Sequence, residues 1–244
     1  MKFNRFYCES IEGGSVELDR VESHHLMHVM RLGAGSNVEL FDGKGVLAKG
    51  VVTEVSRKGV RVDVESREVF EARTTGRVII AAAVAKGQHF DLIIAKCTEL
   101  GVDCIVPLIF ERTVKQAAGS NIVDRYKKLS IVAAKQCGRI FLPEIVNPCA
   151  LDSGLEYVKA RFQYAKGVFG GFGADAVSVG SVFDAESDIL AFIGPEGGIT
   201  PDEEKKLEEF GAVKVGLTDT ILRTETASIA FASILCVLRD GYGV

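Results

Sequence analysis

Residues 78–85, Val-Ile-Ile-Ala-Ala-Ala-Val-Ala, form an unbroken apolar run. A run of this kind suits a strand buried on both faces, as in a parallel sheet covered by helices. Phe90, Ile93, Ile94, Cys97 and Leu100 then recur at helical spacing, and Val102–Leu108 is apolar again. Strand, helix and strand in that order predict a parallel βαβ unit. The same texture predicts a helix over 122–138, strands over 162–168, 189–193 and 213–217, a helix over 201–210 and a last helix ending at Arg239. The fold class is therefore α/β.

Residues 1–72 read differently. Asn37–Phe41 alternates, Asp42-Gly43-Lys44-Gly45 turns, Val46–Val55 returns, and Val60–Glu65 alternates with period two. With one short helix over Val21–Met30, the pattern predicts a small antiparallel barrel. Arg73-Thr-Thr-Gly76 reads as the linker, which gives domains over 1–72 and 73–244.

The 244 residues, 47% hydrophobic and 25% charged, exclude collagen-like and disordered composition. No apolar stretch reaches the roughly 18 residues of a spanning helix. Met1–Glu9 carries charges where a signal peptide has its apolar core, so a cytoplasmic protein without membrane attachment is expected. The six cysteines include no C-x-x-C pair and predict reduced, buried side chains. Net charge is −4, yet the charge is segregated. Residues 112–139 hold seven basic residues and one acid, whereas 183–210 hold nine acids and two lysines. A basic face toward an anion follows.

Two connections stand out. The 189–193 strand runs into Gly194-Pro195-Glu196-Gly197-Gly198. At the carboxyl end of a parallel strand, such glycines let a ligand approach backbone groups closely, although they also serve any tight turn. The following helix is well specified, with Thr200 as N-cap, Pro201 at its first position, Glu203 completing a capping box and Gly211 past its end. The second connection, Leu217–Ala227, leads from strand to helix and places Arg223 and Glu225 among hydroxyl groups. The helix after it is apolar nearly all round, which requires a central position or a subunit interface.

Gly194-Pro-Glu-Gly-Gly198 followed by Ile221-Leu-Arg-Thr-Glu-Thr-Ala227 resembles the RsmE family of small-subunit ribosomal RNA uridine-N3 methyltransferases. Arg5-Phe6, His24-His25-Leu26, Val29-Met30-Arg31-Leu32, Phe41-Asp42-Gly43, Lys86-Gly87, Lys96 with Glu99-Leu100-Gly101-Val102, and Gln136-Cys137-Gly138-Arg139 extend the likeness over nearly the whole chain. The resemblance implies an N-terminal PUA-like β-barrel that binds RNA, a C-terminal SPOUT-type α/β domain with a trefoil knot, and a homodimer. It also implies S-adenosyl-L-methionine as cofactor, bounded by Ile193, Gly194, Pro195, Glu196, Gly197 and Gly198 on one side and by Leu217, Ile221 and Leu222 on the other. Small-subunit (16S) ribosomal RNA is the implied substrate.

Alkylation at uracil N3 needs an unpaired base, stabilised negative charge and an aligned methyl donor. On that chemistry Arg223 is expected to stabilise the uracil anion, and Glu225 either to accept the N3 proton or to pair with Arg223. Arg125, Lys128, Lys135 and Arg139, at offsets 0, 3, 10 and 14, share a helix face suited to phosphates. With Arg112 and Lys115, and with Arg5 and Arg31 of the first domain, they are the expected RNA contacts; a solvated charged face is the competing reading. His24 and His28 stand i, i+4 without a third ligand nearby, so no metal is expected.

Two departures from the family pattern bear on activity rather than fold. Lys135 stands where a glutamate is common, and Thr218-Asp219-Thr220 replaces a Gly-x-Arg run. Two other function classes fit parts of the chain: a non-catalytic RNA-binding protein of the same fold, and a dinucleotide-dependent oxidoreductase suggested by Gly171-Phe-Gly173-Ala-Asp-Ala176. For the latter, Val177–Val182 is β-branched and contains Gly180, so a pyrophosphate there lacks a helix N-terminus.

Overall fold

The computed structural model describes residues 4–56, 59–85, 88–113, 121–162, 165–171, 176–184 and 186–241. The chain divides into two compact units, Met1–Ala72 with Ala134–Leu142, and Arg73–Ala133 with Pro143–Val244. The sequence reading placed 134–142 in the second domain.

The first unit holds β1 (Asn4–Tyr7), β2 (Ser15–Leu18), α1 (Arg20–His24), β3 (Asn37–Phe41), β4 (Val46–Ser56) and β5 (Gly59–Val69) in one sheet of order β1-β3-β4-β5-β2. Neighbours are antiparallel except β1 and β3, which run parallel with Asn4 opposite Val38. The all-antiparallel expectation fails there because β2 and α1 intervene between β1 and β3 and supply the long crossover that a parallel pair needs. Asp19 caps α1 by accepting from Glu22 N at 2.7 Å. The helix then widens into a π turn over His25–Val29, so the single predicted helix is two kinds of turn. Phe6, Leu26, Leu40 and Val62 fill the core.

Segment 134–142 joins this unit through specific contacts. Leu142 N donates to Gly43 O at 2.9 Å. A Cβ at Gly45, φ 117°, would stand 2.8 Å from the Phe141 ring, so the turn after β3 needs glycine both for its conformation and for this approach. Lys135 Nζ lies 2.8 Å from Glu22 Oε1, with both side chains largely buried, and sits over the Phe6 ring.

The second unit is a parallel sheet flanked by helices. Its strands are β6 (Val78–Ala83), β7 (Cys104–Ile109), β8 (Glu144–Ile145), β9 (Cys149–Ala150), β10 (Lys166–Gly170), β11 (Val177–Ser178), β12 (Ile189–Ile193) and β13 (Val213–Gly216). The order is β11-β13-β10-β12-β6-β7-β8, with β9 also paired to β7, and every pairing is parallel. All residues of β6 and β12 are buried, as their unbroken apolar runs require. Helices α2 (His89–Leu100), α3 (Ile122–Cys137) and α7 (Thr224–Arg239) cover the face of Val78, Ile80 and Ala82. Helices α4 (Leu151–Arg161) and α6 (Pro201–Phe210) cover the face of Ile79, Ala81 and Ala83. The remaining helix, α5, is the single turn Val179–Val182.

Helix α4 was not anticipated, because Gly154 interrupts its apolar periodicity. That glycine is required by packing: a Cβ there would stand 2.3 Å from Leu108 Cδ2. Helix α6 forms as read, with the Thr200–Glu203 capping box and Gly211 in the left-handed region.

The Lys135–Glu22 pair predicts strong coupling. Changing Lys135 to leucine leaves Glu22 buried without a counter-charge and should cost about 2–3 kcal/mol, somewhat below a fully buried pair. The double Lys135→Leu, Glu22→Leu variant should cost much less than the two singles together, which a urea-denaturation cycle measures.

Candidate active site

Strands β13, β10 and β12 lie side by side and parallel, so their carboxyl ends open on one edge, where open α/β sheets bind ligands. A cavity of about 180 Å³ lies there. Eight of the nine residues expected around the cofactor line it: Ile193 at the end of β12 with Gly194, Pro195, Glu196 and Gly198 after it, and Leu217, Ile221 and Leu222 after β13. Gly170 at the end of β10, Gly171 after it, Ile199, Val215 of β13, Thr218, Thr220 and Thr224, and Ala227 and Phe231 of α7 complete the walls. Gly171 was visible in the sequence only as the first glycine of the dinucleotide-like pattern, and Gly170 was not singled out.

The exception, Gly197, is held from outside. Its carbonyl accepts from Arg112 Nη1 at 2.9 Å, and a Cβ on Gly197 would stand 3.1 Å from Arg112 Cβ. Glu111 N donates to Glu203 Oε1 at 2.7 Å, so the segment after β7 is tied both to the glycine loop and to the start of α6. Gly198 takes φ 76°, and a Cβ on Gly194 would lie 2.5 Å from Ile199 Cγ1. Glycine is thus required at both positions.

The second loop closes on the first. Thr224 Oγ1 donates to Gly194 O at 3.1 Å. Thr218 Oγ1 donates to Thr220 O at 2.8 Å and accepts from Thr220 N at 3.2 Å. Thr218-Asp219-Thr220 therefore builds a self-bonded turn on the cavity wall.

The chemistry of this lining fits an adenosyl group. Ile193, Ile199, Leu217, Leu222 and Phe231 offer apolar surface for ring faces, and the glycines leave backbone donors and acceptors accessible to ring edges and hydroxyls. For the dinucleotide alternative, residues 172–175 lie outside the described residues, and the four-residue α5 supplies no helix start suited to a pyrophosphate.

Arg223 is the exposed N-cap residue of α7, between the lining residues Leu222 and Thr224. Glu225, one of the two residues expected to act in catalysis, is 8% exposed and pairs not with Arg223 but with His89, whose Nδ1 lies 3.0 Å from Glu225 Oε1. His89, the first residue of α2, was absent from the sequence reading because no spacing links it to residue 225.

The expected RNA contacts separate into groups. Lys128 is exposed on α3, and Arg31 is exposed in the left-handed region at φ 54°. Arg125 is exposed and bonded to Asp91. Arg5 is largely buried, bonded to Glu39 at 2.8 Å and to Gly138 O, and Lys135 is turned into the first unit; both are committed to the protein's interior. Gly138, φ 87°, ends α3, so Arg139 stands beyond the helix rather than on its face. Lys115 lies outside the described residues. The His24 and His28 rings stand 4.7 Å apart, and among the described residues no cluster of three or more His, Cys, Asp or Glu is placed to hold a metal. Among those residues no helix is long and apolar enough to cross a membrane.

Comparison with known proteins gives two family matches: an RNA methyltransferase domain over residues 72–236 and an RNA methyltransferase PUA domain over 18–65. The ribosomal RNA small subunit methyltransferase E of Bacillus subtilis is 30% identical over 222 residues, covering 85% of this chain and 84% of the relative. That of Mycobacterium tuberculosis is 28% identical, covering 96% and 92%. Among solved structures, ribosomal RNA small subunit methyltransferase E from Neisseria gonorrhoeae, bound to S-adenosyl methionine, superposes with a TM-score of 0.85 at 26% identity over 97% of this chain and 98% of that one. A Legionella pneumophila protein in complex with SAM gives 0.86 at 27% identity, covering 98% of each chain.

Arg112→Ala should free the Gly197 carbonyl at a cost of roughly 0.5–1 kcal/mol, the low end for an exposed hydrogen bond. Hydrogen exchange at the amides of 196–198 should then speed about two- to fivefold, with α6 unaffected. Unchanged exchange would remove Arg112 as the clamp.

Proposed function

The chain belongs to the ribosomal RNA small subunit methyltransferase E family, and from that premise we propose that it transfers a methyl group to N3 of a uridine in small-subunit (16S) ribosomal RNA. It is a methyltransferase that uses S-adenosyl-L-methionine and acts on ribosomal RNA. The observation that carries the reading is the cavity at the joined carboxyl ends of β10, β12 and β13, walled by the glycine loop on one side and the Leu217–Leu222 loop on the other.

When bound, the cofactor supplies a methyl carbon made electrophilic by the adjoining sulfonium. The chain has three tasks. Ile193, Gly194, Pro195, Glu196 and Gly198, with Leu217, Ile221 and Leu222, hold the cofactor; Gly197 shapes the loop through Arg112. Arg223, beside that wall, faces the uracil and stabilises its anion as N3 loses its proton. Glu225, paired with His89, stands beside the lining residue Thr224.

RNA is gripped by exposed cations, Lys128, Arg125, Arg31 and Arg112, with Lys115 and Arg139 continuing the basic segment, while the PUA-like unit adds its own contacts. The protein acts in the cytoplasm as a homodimer, and its C-terminal unit is a SPOUT domain with a trefoil knot. Leu92 of α2 and Ile234 and Val237 of α7 are exposed apolar residues on helices that pack together, a surface suited to a second copy.

The test is incubation with S-adenosylmethionine and small ribosomal subunits lacking the modification, followed by digestion and mass spectrometry. A new 3-methyluridine is the expected product. Cofactor binding without transfer would favour the non-catalytic RNA-binding alternative, and absence of both would overturn the proposal. Arg223→Ala should lower kcat about 10²–10³-fold in a folded protein; near-normal turnover would exclude its role. Lys128→Ala should reduce the salt slope of RNA binding by about one while leaving cofactor affinity unchanged.

A further inference from the structure

We propose that His89 is the general base that takes the uracil N3 proton, with Glu225 as its positioning residue. The inference rests on the methyltransferase reading and adds to it a residue from a different part of the fold.

The geometry is a carboxylate–imidazole pair whose carboxylate stands next in sequence to the cavity-lining Thr224. Strand β6 pairs with β12 in parallel, Ala82 opposite Ile193, so the carboxyl end of β6 lies on the same edge as the start of the glycine loop. His89 opens α2, and its Nδ1 meets Glu225 Oε1 of α7 at 3.0 Å. Glu225 follows directly on Thr224, which lines the cavity and bonds to the glycine loop.

The two partners are unequally placed. The Glu225 side chain is 10% exposed, whereas that of His89 is 49% exposed. An enclosed carboxylate is poorly placed to reach a base on an RNA strand. A half-open imidazole is well placed. A carboxylate on Nδ1 fixes the proton there and leaves Nε2 with its lone pair, the arrangement by which a buried acid orients a histidine base and stabilises the imidazolium. Among the described residues, Nε2 has no bonded partner.

The other charged groups described on α2 have partners of their own. Asp91 on α2 is taken by Arg125 of α3, and Lys96 by Glu99. Tyr126 of α3, packed on Phe90, keeps its proton, since burial pushes its hydroxyl up to about 12. Arg223 serves the uracil anion.

The step balances as follows. The N3–H bond breaks and the proton passes to His89 Nε2. The N3 electron pair forms the bond to the methyl carbon, the carbon–sulfur bond breaks with its electrons to sulfur, and S-adenosylhomocysteine leaves. The imidazolium, held against Glu225, returns its proton to solvent.

Two readouts test this. In the free protein, 15N NMR should show His89 with hydrogen on Nδ1, and Glu225→Ala should shift it toward hydrogen on Nε2. For catalysis, His89→Asn keeps a donor toward Glu225 but removes the base. It should lower kcat about 10²–10⁴-fold with KM for RNA unchanged. The pH profile of the His89→Asn enzyme should differ from that of the wild type. Added imidazole should partly restore His89→Ala. Hydrogen on Nε2 in the wild type, or a His89→Asn enzyme within twofold of wild type with the same pH profile, would overturn the proposal. If the wild-type protein forms no 3-methyluridine, the methyltransferase reading is what fails, and the tautomer measurement still decides the pairing.

Discussion

The hydrogen bond from Thr224 Oγ1 to the Gly194 carbonyl joins two loops thirty residues apart in sequence, and the candidate site depends on that junction. Each loop is anchored by its own strand, β12 or β13, and each precedes a helix whose start is set by local chemistry. The Thr200–Glu203 capping box fixes α6 behind the glycine loop, and extended Arg223 opens α7 behind the other. Once β10, β12 and β13 are parallel and adjacent, their ends must meet on one edge, and the threonine bond closes the gap between them. Arg112 adds a second restraint from outside by holding the Gly197 carbonyl. A ligand entering this space meets a largely preformed wall, which limits the ordering cost of binding.

Much of this was legible in the residues. The unbroken apolar runs at 78–85 and 189–193 identify central strands, because burial on both faces leaves no room for alternation. The glycine loop and the Leu217–Leu222 loop were visible because glycines and hydroxyls interrupt apolar texture at strand ends. What escaped were features set by distant partners. Helix α4 hides behind Gly154, which is small because Leu108 lies against it. Segment 134–142 reads as the end of a basic helix, yet its contacts belong to the first unit. The pairing of His89 with Glu225 spans 136 positions and has no signature in spacing.

Charge shows the same limit. Offsets along α3 place Arg125, Lys128 and Lys135 on a common face, but offset alone carries no information about what that face meets. Lys135 meets Glu22 and the Phe6 ring, and Arg5 meets Glu39, so both are structural cations. Desolvating such charges is tolerable only because each has a close partner. Arg125 and Lys128 keep the exposure that a phosphate contact needs.

The central claim, that the two joined loops form the cofactor site, is tested most directly by hydrogen exchange of the protein with and without saturating S-adenosylmethionine. The account predicts slowed exchange over 193–198 and 217–224 and at the start of α7, with the sheet of the first unit unchanged. Binding that protects a different region, or no protection at saturating cofactor, would contradict it.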